Sequence, residues 1–144
     1  MPLISKRDAD KTAIDELVAA FFDAFTNRAG TKPDLDRLYR LFIPQAIIIK
    51  NTGTEPEVYD VAGFAEPRRK MLTDGSLTEF SEQEVSERTE IFGNVAQRFC
   101  LYKKSWIASG TAFEGGGANV IQFVRTPAGW KIGSLAWDDV PPSR

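Results

Sequence analysis

The sequence predicts an α+β domain in which one strongly curved antiparallel sheet wraps over three N-terminal helices and leaves an internal pocket. Two observations carry this. From Leu77 onward the chain reads as four long strands in series, joined by three hairpin signals: Gly93-Asn94, the Ser109–Gly117 stretch and Thr126-Pro127-Ala128-Gly129. Before Leu77 the pattern is mostly helical. No residue set names a substrate or a reaction.

The elements follow in order. Ile14, Leu17, Val18, Phe21, Phe22 and Phe25 repeat at helical spacing, which predicts a first helix over 8–28. Asp8, Asp10, Asp15 and Glu16 favour its N-terminal half, and Gly30 stops it. Asp34 caps a short second helix with Leu35, Leu38 and Phe42 on one face, ended by Pro44. Ala46-Ile47-Ile48-Ile49-Lys50 is a continuous apolar run, read as a buried strand. Asn51-Thr52-Gly53 turns the chain, and Glu57-Val58-Tyr59 is a short return strand. Asp60 caps a third helix over 61–73, in which Pro67 removes a hydrogen bond and introduces a kink, and Asp74-Gly75 ends it.

At 144 residues the chain is expected to be one domain, 1–144. The net charge of −2 gives no basic excess for nucleic acid. The one basic cluster, Arg68-Arg69-Lys70, follows Glu66 and reads as a solvated helix face. There is one cysteine, so no intrachain disulfide, and Cys100 reads as a buried structural thiol in a strand. The absence of histidine removes Ser-His-Asp and Cys-His nucleophiles, the commonest general base and the commonest metal ligand. No metal and no cofactor is expected. Any chemistry falls to Asp, Glu, Tyr, Lys, Arg or Cys. No stretch has signal-peptide or membrane-span character, so a cytoplasmic location without membrane contact is the expectation. Glu114-Gly115-Gly116-Gly117 reads as a flexible hairpin tip, because it lacks the Lys-Ser/Thr and the helix of a phosphate loop.

The turns set the register. Gly93-Asn94 pairs Phe92 with Val95, and so Thr89 with Arg98, Glu87 with Cys100 and Val85 with Tyr102. The Thr126–Gly129 loop pairs Arg125 with Trp130, Phe123 with Ile132 and Ile121 with Ser134. A glycine tip pairing Ala108 with Gly117 puts Trp106 opposite Asn119. Alternation then assigns Val85, Glu87, Arg98, Cys100, Tyr102, Trp106, Asn119, Ile121, Phe123, Ile132, Ser134, Ala136 and Asp138 to the concave face. The other face carries Glu84 and a band of Leu101, Val120, Leu135 and Trp137. A sheet apolar on its outer face meets a partner, so a homodimer through that face is expected.

Several segments resemble the nuclear transport factor 2-like superfamily, in its SnoaL-like (polyketide-cyclase-like) branch. They are the Phe-rich first helix, the short second helix ending in Phe42-Ile43-Pro44-Gln45-Ala46, Phe92-Gly93-Asn94-Val95-Ala96-Gln97, Gly117-Ala118-Asn119-Val120-Ile121-Gln122-Phe123, and Gly129-Trp130-Lys131-Ile132 through Ala136-Trp137-Asp138-Asp139. The resemblance covers roughly 8–140. It implies a cone-shaped fold with an internal cavity, and dimers packed through the sheet. Enzymes of this superfamily include isomerases, dehydratases, epoxide hydrolases and cyclases. Their histidine-dependent versions do not carry over to this chain, and no catalytic assignment transfers.

The ligand-binding candidates are Glu87, Arg98, Tyr102, Trp106, Asn119 and Asp138. Glu87 between apolar walls would have a raised pKa and serve as acid or base. Arg98 would hold a carboxylate or enolate oxygen, and Tyr102 would donate to one. Against this, Glu87 and Arg98 form a structural ion pair between neighbouring strands, the reading with the better case. Asp138 is either at the cavity mouth or a solvated strand end. Asn119 either orients a ligand carbonyl or ties down the glycine-rich hairpin, and Trp106 is pocket wall. The expected function is binding of a small, largely apolar molecule, with acid/base chemistry open. The other reading is a non-catalytic dimerisation or accessory module that binds a protein partner.

Overall fold

The computed structural model describes residues 5–140. The ends of the 1–144 span, and the start of the N-terminal stretch read for a leader, lie outside the described residues. The chain runs α1 (Lys6–Asp23), α2 (Leu38–Leu41), β1 (Phe42–Lys50), β2 (Glu57–Tyr59), α3 (Val61–Thr73), β3 (Thr78–Phe92), β4 (Val95–Ala108), β5 (Thr111–Thr126) and β6 (Gly129–Val140), with 3-10 turns at Arg28–Gly30 and Leu35–Arg37. Among the described residues no helix is long and apolar enough to cross a membrane.

Ser5 caps α1, its Oγ accepting from the Asp8 amide at 3.0 Å, so the helix begins at Lys6 and not at Asp8. The helix stops at Asp23 although Ala24 and Phe25 stay buried. Asn27 explains the early end. Its side chain donates to the carbonyls of Leu72 (3.0 Å) and Leu77 (2.8 Å) and accepts from the Phe80 amide (2.7 Å). These tertiary bonds replace helical ones. Asp10 and Asp15 do more than favour the helix electrostatically. Asp10 accepts from Arg125 (2.6 Å) and from the Trp130 indole (3.1 Å), tying α1 to β5 and β6. The second helix ends at Leu41, so Phe42 and Pro44 belong to β1. Pro44 is tolerated because the β1–β6 ladder is irregular between Phe42 and Ile47. The third helix has the expected bounds, with the Asp60 carboxylate accepting from the Gly63 amide at 2.7 Å.

The six strands lie in the order β2-β1-β6-β5-β4-β3. The sheet is mixed and not wholly antiparallel, because β1 runs parallel to β6. The chain leaves β1, crosses to the far edge through α3, and returns by three hairpins that bring β6 alongside β1. Its concave face packs on the helices through Cys100, Ile121, Phe123, Ile132 and Leu135. An aromatic cluster centred on Phe21 meets them, with rings of Phe22, Phe25 and Phe42 edge-on at 5.3 to 6.0 Å.

Two bulges decide which side chains face inward. In β3 the register shifts between Glu84 and Ser86. Phe92↔Val95, Thr89↔Arg98 and Glu87↔Cys100 pair as the turn dictates, but Tyr102 then faces Glu84. Val85 is turned out, 59% exposed, while Glu84 and Glu82 point inward. In β6 the shift comes at Gly133: Phe123 pairs with Ile132, but Ile121 pairs with Leu135 and not Ser134. Leu135 and Trp137 therefore join the concave face, and Ser134, Ala136 and Asp138 leave it. A third correction concerns the β4–β5 hairpin. Its tip is Ser109-Gly110, both at positive φ, and Gly115, Gly116 and Gly117 lie inside β5. Trp106 consequently faces Phe113, and Asn119 faces Cys100. The count is even, so both remain on the inner face. The outer apolar band loses Leu135 and Trp137 and consists of Phe99, Leu101 and Val120, each between 42 and 51% exposed.

Candidate functional site

The six candidate side chains do not share one space. Asp138 lies on the outer face opposite Ala118. Glu87 and Arg98 border a polar cleft between α1 and β3. Tyr102, Trp106 and Asn119 line a second cavity of about 290 Å³ between the sheet, α1 and α3.

The cleft is an ion-pair network. Arg98 is 3% exposed. Its guanidinium donates to Glu84 twice (2.6 and 3.0 Å), to Asp15 (2.7 Å) and to the Thr89 hydroxyl (3.2 Å). Glu87 stands 3.6 Å away, and Lys11 bridges Asp15 (2.8 Å) and Glu87 (3.2 Å). Burial opposes the Arg98 charge, but the bonds it donates to Glu84 and Asp15 outweigh that and hold the group charged. Glu87 is held below the usual carboxylate range, first by the Thr89 hydroxyl. An Arg with four of its five donors engaged and a Glu kept ionised fasten α1 to β3 and β4; they leave little for a ligand.

The cavity is built differently. Its apolar wall comes from Phe21 and Phe25 of α1, Phe64 and Leu72 of α3, and Leu135 and Trp137 of β6. The polar groups are Glu82, Tyr102, Lys104, Asn119, Lys50 and Arg68. Glu82 is half-buried on the inner face opposite Lys104, and its carboxylate makes no ion pair within 4.0 Å among the described residues. Burial pushes its carboxyl up to about 7, with Asp139 adding to the effect and Lys104 opposing it. Tyr102 donates a hydrogen bond to Asp139, which Lys104 also binds at 3.1 Å. Burial, then that bond, keeps the phenol protonated far above its usual range.

Gly117 makes this arrangement possible. It lies on the inner face opposite Asp139, and a Cβ there would come within 2.5 Å of the Tyr102 hydroxyl and closer still to the Asp138 carbonyl. Gly117→Ala is expected to displace Tyr102 and cost about 1–3 kcal/mol, the range for overpacking. A denaturant titration checks the cost.

Arg68 sits on the apolar side of α3, four residues after Phe64 and four before Leu72. Its guanidinium carbon is 4.0 Å from the Phe64 ring centre and 5.4 Å from that of Trp137. Among the described residues Arg68 makes one hydrogen bond, from Nη1 to the Phe64 carbonyl at 3.0 Å. The expectation of one solvated face over Arg68-Arg69-Lys70 fails at Arg68, which lines the cavity. Arg69 fits, pairing with Asp36 and Glu66 at the surface. The helical period separates Arg68 from it. Glu82 was missed because the β3 bulge, not alternation, turns it inward.

Cys100 is fully buried, and burial pushes its thiol up to about 12. We expect no alkylation by iodoacetamide at pH 8 until the protein is unfolded, read by intact mass. Among the described residues no group of three or more His, Cys, Asp or Glu is placed to hold a metal ion.

No family model matches the chain, and no curated protein matches it in sequence. Its structure is similar to solved ones. A nuclear transport factor 2-like superfamily protein from Salmonella enterica superposes with a TM-score of 0.76 at 16% identity, covering 96% of this chain and 94% of that one. An NTF2-like protein with a cystatin-like fold from Novosphingobium aromaticivorans gives 0.67 at 19% identity, covering 95% and 91%. A candidate dehydratase of the NTF2-like family from Streptomyces avermitilis gives 0.71 at 15% identity, covering 92% and 97%. The chain thus has the nuclear transport factor 2-like, or cystatin-like, fold: an α+β cone whose sheet does not close.

Proposed function

We propose that this chain, with its nuclear transport factor 2-like fold, is a SnoaL-like protein that binds a small, largely apolar molecule in the cavity between the sheet, α1 and α3, and moves a proton on it. One observation carries the reading. Among the described residues Glu82 presents a carboxyl without an ion pair to a cavity walled by aromatic side chains, and burial, which pushes that carboxyl up to about 7, lets it both take and return a proton near neutral pH. Proton transfer of this kind serves isomerase, cyclase and lyase chemistry alike.

Each polar neighbour has a part. Tyr102, kept protonated, and Asn119 are the hydrogen-bonding groups beside the ligand. Lys104 sets the field around Glu82 through Asp139. Trp106 and Trp137 are wall. Mass spectrometry of small molecules released from the purified protein tests the binding step. A stoichiometric apolar ligand, absent from a Leu72→Trp variant whose larger ring fills the cavity, is the expected result. A protein that carries no such ligand, and whose tryptophan fluorescence is unmoved by any member of a panel of small apolar carbonyl compounds, contradicts it.

The reading includes a homodimer through the outer face of the sheet. Phe99, Leu101 and Val120 form an exposed apolar band there. Leu101→Arg is expected to give folded monomers at micromolar concentration, by sedimentation velocity, where the unchanged protein gives dimers. A monomeric unchanged protein refutes it.

A further inference from the structure

We propose that the ligand is a planar, one-ring monocarboxylate, and that Arg68 is the residue that holds its carboxylate. The proposal rests on the reading of the cavity as a ligand site, and goes beyond it by naming the ligand's class.

The two arginines that face inward from the helices and sheet make opposite use of the same chemistry. Arg98 is surrounded by three carboxylates. Arg68 has none within 4.0 Å among the described residues, and spends one donor on the Phe64 carbonyl. A guanidinium carries five N–H donors in a fixed fork that matches a carboxylate two-to-two. Placed over the Phe64 ring and near Trp137, Arg68 is positioned by apolar contact and left short of acceptors. Burial also weakens its hold on the proton, as expected of a cation without a close counter-ion.

Charge supports an anion. The cavity is lined by three cations, Lys50, Arg68 and Lys104, and by one carboxylate, Glu82. Lys104 is engaged by Asp139, and Lys50 makes no ion pair among the described residues. Glu82 and Arg68 share one confined space, yet they do not meet within 4.0 Å. A ligand whose carboxylate lies on Arg68 and whose body extends toward Glu82 spans that gap. It would present its reacting carbon to the proton carrier and its anion to the fork.

Size and shape set the body. About 290 Å³ holds roughly ten water-sized groups, the low end for ligand pockets. That admits one ring with a short substituent. Rings of Phe64, Trp106 and Trp137 on the walls favour a flat apolar partner.

The test compares trans-cinnamate with cinnamamide, and benzoate with benzamide, by isothermal titration calorimetry at pH 7.5. Each carboxylate is expected to bind at least tenfold more tightly than its amide. Arg68→Met should abolish that preference while leaving amide affinity within threefold, and Arg69→Met should leave the preference intact. Arg68→Lys, which keeps the charge without the fork, should bind the carboxylates about tenfold more weakly and stands in if Arg68→Met does not fold. Equal affinity for acid and amide, or a preference that survives Arg68→Met, overturns the carboxylate assignment and leaves the cavity reading standing. If none of the four probes binds the unchanged protein, while a neutral apolar ligand does, the assignment fails alone. If nothing binds at all, both fail.

Discussion

Glu82→Gln is expected to stabilise the fold by roughly 3 kcal/mol at pH 8 and to leave it nearly unchanged at pH 4. The folded protein holds the Glu82 proton up to about 7, against 4.5 for the unexposed-to-perturbation carboxyl of an unfolded chain. Stability linked to this group is therefore full below 4.5 and is lost as pH rises through 7. Each pH unit in that window is worth about 1.4 kcal/mol, which sets the figure. Gln is close in shape and never ionises, so it avoids the loss. Chemical denaturation at the two pH values measures the difference. The same variant should slow proton transfer in the cavity by about 10²–10⁴-fold, the usual contribution of a positioned acid or base. A more stable and less active variant is the mark of a carboxyl kept in the cavity for function.

Leu135→Ala is expected to cost about 2–5 kcal/mol, and Leu135→Arg to prevent folding. Leu135 is 1% exposed, packed on the inner face opposite Ile121. Truncation leaves a void among side chains that cannot close over it, and a charge there has no partner. Leu101→Ala, on the outer face, should leave the urea midpoint of the monomer almost unchanged. A Leu135→Arg protein that folds and merely loses its dimer would put Leu135 on the outer face and refute the bulge at Gly133.

These two variants bear on how far the fold was legible in the sequence. One turn and one cap were readable because they rest on local chemistry: Gly93-Asn94 fixes Phe92↔Val95, and Asp60 fixes the start of α3, whereas the glycine run drew the β4–β5 tip away from Ser109-Gly110. The bulges were harder. Gly133, a lone glycine inside a strand pattern, was a signal for the one in β6. Ser81-Glu82-Gln83-Glu84-Val85-Ser86 offered none, because a strand polar on both faces does not specify its register. That segment decides whether Glu82 and Glu84 face the interior, so the key carboxyl was out of reach of alternation. Tyr102, Trp106 and Asn119 were placed on the inner face correctly because no bulge intervenes between β4 and β5. Asp138 was displaced by one residue, and its neighbour Asp139 makes the contact with Tyr102 instead. The helix 8–28 was too long because periodicity does not register Asn27 leaving α1 to bind β3.

The central claim is that Glu82 is a confined carboxyl able to exchange a proton near neutral pH. It is tested most directly by following the side-chain carboxyl carbon of Glu82 by nuclear magnetic resonance as pH is varied, with Glu82→Gln used to assign the signal. A midpoint of about 7 is the expected result. A midpoint near the ordinary 4.5 would contradict the account, because Glu82 would then be a solvated carboxylate with no special capacity to carry a proton.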